Sequence, residues 1–86
     1  MKVKRVSSFR YEVEDVKYIC IDKHYITNTL SSYELEVKNI HSPLQKDRIK
    51  LFYKLQDLKD FLAKYDSERE LLADYYMAKL EGKFTL

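Results

Sequence analysis

The segment ELLADYYMAKLEG at residues 70–82 predicts a helix whose apolar side chains are not confined to one side. Ser67 and Glu70 form a Ser-x-x-Glu capping box immediately before this apolar run. Gly82, the only glycine in the chain, is typical of the position just after a helix end. We therefore predict a helix over 68–81. Because this helix is apolar on nearly all sides, nearly all of its surface should be buried against other residues.

The length of the chain limits how much of this helix the rest of the domain can bury. Its 86 residues have room for one domain, residues 1–86, with apolar and charged fractions of 45% and 35% that are typical of a globular protein. A chain of this length buries roughly 60–65% of its unfolded surface, so its core is thin. With one glycine and one proline, most of the chain should be regular structure.

The first half of the chain has the alternating pattern of β-strands. FRYEVEDVKYICID, residues 9–22, alternates apolar and polar side chains, changes phase at residues 14–15 and then resumes the alternation. Such a change of phase suits a bulge or a turn. YELEVKNI, residues 33–40, alternates in the same way, and the Asn, Thr and Ser residues before it are typical of a turn. Both segments predict antiparallel strands with one solvent-exposed face.

Residues 48–55 fit two interpretations. Their alternation predicts a strand, whereas the leucine spacing of four and three, which continues past them, predicts the first turns of a longer helix. HSPLQKD, residues 41–47, suits a hairpin loop, and Asp57 suits an N-cap. We therefore predict a strand over 48–55 and a helix over 57–65.

Together these segments predict an α+β fold. We expect a small antiparallel sheet of about four strands followed by two C-terminal helices, in the order β-β-β-β-α-α. Phe84 and Leu86, in the tail after the last helix, are available to fold back on this core.

The sequence also indicates a compartment. The single Cys20 can make no internal disulfide, which suits a reducing environment. The basic first ten residues are not followed by the apolar run of a secretory signal, and no apolar stretch approaches the length of a membrane span. We expect a cytoplasmic protein that does not enter a membrane. An excess of residues with A/T-rich codons favours a low-GC bacterium, or its phages and plasmids, as the source.

Residue spacings that support catalysis are not found in the sequence. Candidate nucleophile–base pairs are Cys20 with His24 or His41, and Ser42 beside His41. Cys20 lies within YICID and is expected to be a buried structural residue. The two histidines lack zinc-site spacing, and one glycine cannot make a glycine-rich phosphate loop. We therefore expect no enzyme, no metal site, no cofactor and no small-molecule substrate.

Four carboxylates raise a further question. Glu12 and Glu14 share one side of a strand, as do Glu34 and Glu36 on another. On neighbouring strands they would form an acidic face suited to a hard cation or a basic partner. Because Lys and Arg side chains interleave with them in sequence, we expect a solvated polar face instead.

The predicted protein interface comprises Tyr75, Tyr76, Met77, Phe84 and Leu86. Tyrosine buries a large area at a small entropy cost and methionine adapts its shape to a partner. We predict a non-enzymatic protein-binding module that contacts either another protein or a second copy as a homodimer. By analogy with accessory proteins of phages and mobile elements, we expect an inhibitor or regulator that occupies a surface of its partner.

The alternative function is nucleic-acid binding by the basic N-terminal strand. Its candidate residues are Lys2, Lys4, Arg5, Arg10 and Tyr11, which offer cations for phosphates and a ring for stacking. A net charge of +2 and a pI near 8.6 fall short of the strongly basic composition of many such proteins.

Overall fold

A computed structural model of the chain describes residues 1–39, 41–42, 44–83 and 85–86. These residues form an antiparallel sheet followed by two C-terminal helices, which confirms the predicted α+β fold, with five strands rather than about four. In chain order the elements are β1 (Val3–Arg5), β2 (Arg10–Val13), β3 (Ile19–Tyr25), β4 (Ser31–Lys38), β5 (Lys46–Phe52), α1 (Leu55–Leu62) and α2 (Glu68–Leu80).

Each strand pairs with the next along the chain, so the sheet order is β1-β2-β3-β4-β5 and every pair is antiparallel. The change of phase at residues 14–15 is a turn rather than a bulge, because β2 ends at Val13 and β3 begins only at Ile19. Asp15, between them, adopts the left-handed conformation with φ 60°. FRYEVEDVKYICID therefore contains two strands, β2 and β3. A true register shift occurs in the β4–β5 pair, between Leu35 and Glu36.

The ambiguous segment divides between β5 and α1. The predicted strand is confirmed, but it ends at Phe52. The helix runs over Leu55–Leu62, so it begins two residues and ends three residues earlier than predicted. Asp57 is not the N-cap: Lys54 holds that position and Asp57 lies in the first turn. Leu55 is half-buried and lies on the same helix face as the buried Leu58, so packing extends the helix backwards. The loop predicted over 41–47 is shorter, because β5 begins at Lys46. Pro43 in this loop and Ile40 at the end of YELEVKNI lie outside the described residues.

The core lies between one face of the sheet and the two helices. Its fully buried side chains come from strands and helices alike: Ile21, Leu35, Ile49, Leu58, Leu62, Leu71 and Tyr75. Leu86 folds back on this core, as predicted, and its backbone N–H donates to the carbonyl oxygen of Ile49 at 2.9 Å. The opposite face of the sheet carries mostly polar and charged side chains. The helices therefore cover only one face of the sheet, and the core lies on that side.

Candidate interaction surfaces

The predicted helix over 68–81 is α2, and its start has the expected cap. Ser67 is the N-cap, and its hydroxyl oxygen accepts the backbone N–H of Glu70 at 3.4 Å. The Glu70 carboxylate accepts the N–H of Asp66 at 3.0 Å, one residue before the position that the capping-box pattern predicts. Gly82 follows the helix with φ 83°, the left-handed conformation that glycine adopts without strain.

Glu68 anchors the first turn of α2 to the sheet. One oxygen of its carboxylate, Oε2, accepts the backbone N–H groups of Lys17, Tyr18 and Ile19 at 3.0, 2.9 and 3.2 Å. These are charge-assisted hydrogen bonds, about twice as strong as neutral ones. They connect residues about fifty positions apart in the chain and hold α2 against the start of β3.

Two further contacts hold the middle and the end of α2. The Tyr65 hydroxyl donates to Asp74 Oδ2 at 2.8 Å, and burial together with this carboxylate raises the pKa of Tyr65 to about 12. Lys79 Nζ lies 3.3 Å from Asp47 Oδ2 on β5 and 5.4 Å from the Tyr75 ring centroid. The helix is therefore held in one orientation along its length.

The side of α2 that faces away from the core is also apolar. We name this the outer stripe; its residues are Ala73, Tyr76, Met77 and Leu80. They follow the spacing i, i+3, i+4, i+7, which places them on one helix face, while Leu71, Tyr75 and Ala78 face the core. Tyr76, Met77 and Leu80 are 49%, 57% and 83% exposed. The described residues therefore cover the outer stripe only in part, and least of all at Leu80.

The predicted interface residues do not all lie together. Tyr76 and Met77 are on the outer stripe, but Tyr75 is only 2% exposed and is part of the core. Leu86 is half-buried beside β5, where its carbonyl oxygen accepts Lys50 Nζ at 2.8 Å, and Phe84 lies outside the described residues. A helix turns 100° per residue, so the adjacent Tyr75 and Tyr76 point in different directions.

Sequence reasoning missed Ala73 and Leu80 as members of this surface. The signal was present, because residues 73, 76, 77 and 80 complete a second helical stripe once Tyr75 is assigned to the core. The sequence alone did not determine which of the two stripes would face the sheet.

The basic N-terminal residues are exposed but divided between the two faces of the sheet. Lys4 and Arg10 lie on the polar face, where Arg10 is 3.7 Å from Glu12, whereas Arg5 pairs in register with Tyr11 on the other face. Lys2 is exposed, and its carbonyl oxygen accepts the N–H of Glu14. Tyr11 is 7% exposed and packs edge-on against Tyr33, so it offers no ring for stacking.

Two exposed rings do occur at this end of the sheet: Phe9, which lies among the basic N-terminal residues in the sequence, and Tyr25, which was not predicted. Phe9 and Tyr25 are 63% and 51% exposed, and their ring centroids are 5.4 Å apart. The two residues are 16 positions apart in the chain and come together because β2 pairs with β3. No local pattern in the sequence indicates this contact.

The four predicted carboxylates do not form one acidic face. β3 lies between β2 and β4, so Glu12 is separated from Glu34, and Glu14 lies in a turn. Instead, Asp22 on β3 lies beside Glu34 and Glu36 on β4. Basic side chains interleave here as expected: Lys46 contacts Asp22 at 3.4 Å, while Arg48 and His24 contact Glu34.

Glu36 is the most perturbed carboxyl group in this cluster. Burial, followed by its hydrogen bond with Asp22, raises the pKa of Glu36 to about 8, and the same hydrogen bond lowers the pKa of Asp22. Among the described residues, Glu36 Oε1 has no hydrogen-bond partner. The pair therefore holds one proton at neutral pH. The neighbouring Cys20 is buried, as predicted, and burial raises the pKa of its thiol.

Within residues 1–39, 41–42, 44–83 and 85–86, no three His, Cys, Asp or Glu side chains are grouped so that they could hold a metal ion. In the same part of the chain, neither helix has the length and apolar character that a membrane crossing requires. Comparison with family models, with curated proteins and with solved structures finds no match for this chain.

Proposed function

We propose that this chain is a small non-enzymatic protein-binding module that docks the outer stripe of α2 into an apolar groove of another protein. The observation that carries the proposal is the second apolar face of α2, exposed at Tyr76, Met77 and Leu80. The spacing i, i+3, i+4, i+7 is that of the anchor residues of a helix bound in a groove. An exposed face of this kind on a folded domain is typical of an interaction site.

The rigidity of α2 favours this mode of binding. Its N-terminus is anchored by the Glu68 carboxylate, and its inner face packs on the core through Leu71, Tyr75 and Ala78. The helix is therefore already formed and oriented before it meets a partner. A preformed helix loses little conformational freedom on binding, and this improves affinity for a given contact area.

The charges beside the outer stripe indicate the chemistry of the groove. Helical spacing places Glu70, Asp74 and Glu81 along one border of the stripe. Glu81 is paired with Lys83 at 3.2 Å, and Arg69 lies at the N-terminal end of the stripe. The border is therefore acidic mainly at Glu70 and Asp74. A complementary groove has apolar walls with Lys or Arg side chains along the matching rim, which would favour the correct orientation and faster association. As an inhibitor or regulator, the module would act by occupying this groove. The excess of residues with A/T-rich codons, which phage and plasmid proteins of low-GC bacteria share, is in keeping with this role.

The test introduces a photo-crosslinking residue at position 77 and, as a control, at the exposed position 64, in the turn after α1. In a lysate of the native cell, position 77 should crosslink to one defined polypeptide, and position 64 should not. The Tyr76→Glu variant should lose this crosslink. Tyr53→Glu is the matched control, because Tyr53 is similarly exposed, at 56%, but lies outside the outer stripe.

Experiments with the purified chain and its partner then distinguish two possible occupants of the outer stripe, a different protein and a second copy of this chain. Calorimetry should give a negative heat-capacity change, the mark of buried apolar surface. Sedimentation of the chain alone should show a monomer. A dimer that dissociates in Tyr76→Glu would replace the proposed partner with a second copy. Equal capture by the wild type and Tyr76→Glu would refute any role for the stripe.

A further inference from the structure

A second exposed surface lies at the end of the sheet where the β1–β2 and β3–β4 turns meet. We name it the aromatic shelf; its residues are Arg5, Phe9, Lys23 and Tyr25. Arg5 pairs with Tyr11, and Lys23 pairs with Tyr33, so the shelf continues the core face of the sheet beyond its buried part. The outer stripe, in contrast, belongs to α2.

The rings of the shelf are held in fixed positions. The Tyr25 hydroxyl donates to the carbonyl oxygen of Ser8 at 2.9 Å, and the Phe9 and Tyr25 rings meet edge to face at 90°. The backbone N–H of Lys23 donates to the carbonyl oxygen of Phe9 at 2.9 Å, which joins the two hairpins. Despite these contacts, both rings remain more than half exposed.

Cations accompany the rings on the same face. Lys23 Nζ lies 4.7 Å from the Tyr25 ring centroid and 5.5 Å from that of Tyr33. The Arg5 guanidinium is exposed, and its Nε donates to the carbonyl oxygen of Ser7 at 3.4 Å. Among the described residues, the ion pairs at this end of the sheet are made by Arg10 and His24, which lie on the opposite face. Arg5 and Lys23 are not part of them. The shelf therefore presents positive charge beside exposed rings.

We propose that the aromatic shelf binds a short stretch of single-stranded nucleic acid. Bases stack on Phe9 and Tyr25, and the phosphates on either side are held by Arg5 and Lys23. Stacking is sequence-tolerant, because every base has a π-face, so the expected binding is weakly selective for sequence. With only two cations on this face, the affinity should lie in the range of non-specific binding and should depend on salt.

The two turns argue against an anionic lipid surface as the occupant. Their tips are polar, formed by Ser7 and Ser8 in one turn and by residues 27–29, Thr-Asn-Thr, in the other. The apolar side chains Val6 and Ile26 stand at the bases of the turns, 49% and 52% exposed. Insertion into a bilayer would require these polar tips and their backbone groups to enter first, which is costly.

The experiment is fluorescence anisotropy with labelled oligonucleotides of about 12 residues, as oligo-dT, oligo-rU and a duplex. Single strands should bind more tightly than the duplex. Phe9→Ala should weaken single-strand binding by about fivefold or more, the lower end of the loss for one stacked base. Tyr76→Ala is the control, since it removes another exposed ring, from the outer stripe, and should leave binding unchanged.

The salt dependence tests the phosphate contacts separately. Between about 50 and 200 mM salt, log Kd should change linearly with log salt concentration, and Arg5→Gln should lower the slope by about 0.7. Lys64→Gln, at an exposed lysine outside the shelf, should not change it. The same slope in Arg5→Gln and the wild type would overturn the assigned phosphate contact.

Other outcomes would overturn the proposal as a whole. One such outcome is that single strands do not bind at about 100 µM protein in low salt. Another is that the duplex binds and Phe9→Ala leaves this binding unchanged. Binding to vesicles with about 30% phosphatidylserine, lost in Phe9→Ala and accompanied by no oligonucleotide binding, would assign the shelf to lipid instead. Because Phe9 and Tyr76 lie on different surfaces, either this inference or the protein-binding proposal can fail alone.

Discussion

The Asp22–Glu36 pair predicts that the protein loses stability as the pH rises from mildly acidic to mildly alkaline. Glu36 has an ordinary pKa of 4.5 and a pKa of about 8 in the folded chain. The folded state therefore keeps a proton that the unfolded state releases. The stability from this proton is fully present below pH 4.5 and is lost as the pH rises through 8. Asp22 has a lowered pKa, and its contribution changes only below its ordinary value of 3.8.

The size of the effect follows from the shift in the pKa of Glu36. At 1.36 kcal/mol per pH unit, a shift from 4.5 to about 8 corresponds to about 5 kcal/mol. Glu36 is only half-buried, so solvent screening reduces this figure, and we expect about 2 kcal/mol between the two ends of the range. Glu36→Gln should abolish it, because the side-chain amide cannot ionise and its N–H can still donate to Asp22.

Urea unfolding followed by circular dichroism at about pH 5, 7 and 8.5 measures this difference. Wild type and Glu36→Gln should have similar stability near pH 5, and the variant should be more stable near pH 8.5. The carboxyl carbon shift of Glu36, followed by NMR, should titrate with a midpoint near 8. A midpoint near 4.5, or the same pH profile in both proteins, would refute the reasoning.

Three further predictions concern α2. Glu68→Gln should lower the free energy of unfolding by about 2 kcal/mol in urea titrations, because three backbone N–H groups lose a charged acceptor. The control Glu81→Gln, at the exposed C-terminal end of α2, should change this free energy by less than about 0.5 kcal/mol. Ser67→Ala should cost about 1 kcal/mol and shift the thermal midpoint downwards, and an unchanged midpoint would contradict the observed cap. Tyr75→Ala should cost about 3–5 kcal/mol, whereas Tyr76→Ala should cost less than about 1 kcal/mol, and similar losses would contradict the assignment of their side chains.

Much of the fold was predictable because its signals are local. The alternation in β2, β3 and β4, the Ser67 cap and Gly82 each act within a few residues, and these patterns predicted the fold class and the end of α2 correctly. The boundary between β5 and α1 was less accurate. It depends on the packing of Leu55 against the core, which propensity does not include.

The interaction surfaces were only partly predictable. Sequence periodicity identified α2 as apolar on more than one side and selected Tyr76 and Met77, but it also selected Tyr75, which the core needs. The choice between two apolar stripes on one helix depends on which of them meets the sheet. That choice is made by the Glu68 anchor and by the shape of the sheet face, both of which involve residues distant in the chain.

By itself, the sequence determined the fold class and the approximate positions of most strands and helices, since the strand and helix patterns and the caps are short-range properties of the chain. Only the tertiary structure decided which side chains share a surface. It brought Phe9 to Tyr25 and Asp22 to Glu36, and it left Tyr76 and Met77 outside the core. The physical reason is that strand register and helix orientation are set by the packing of the whole core, and every side chain shares in that packing.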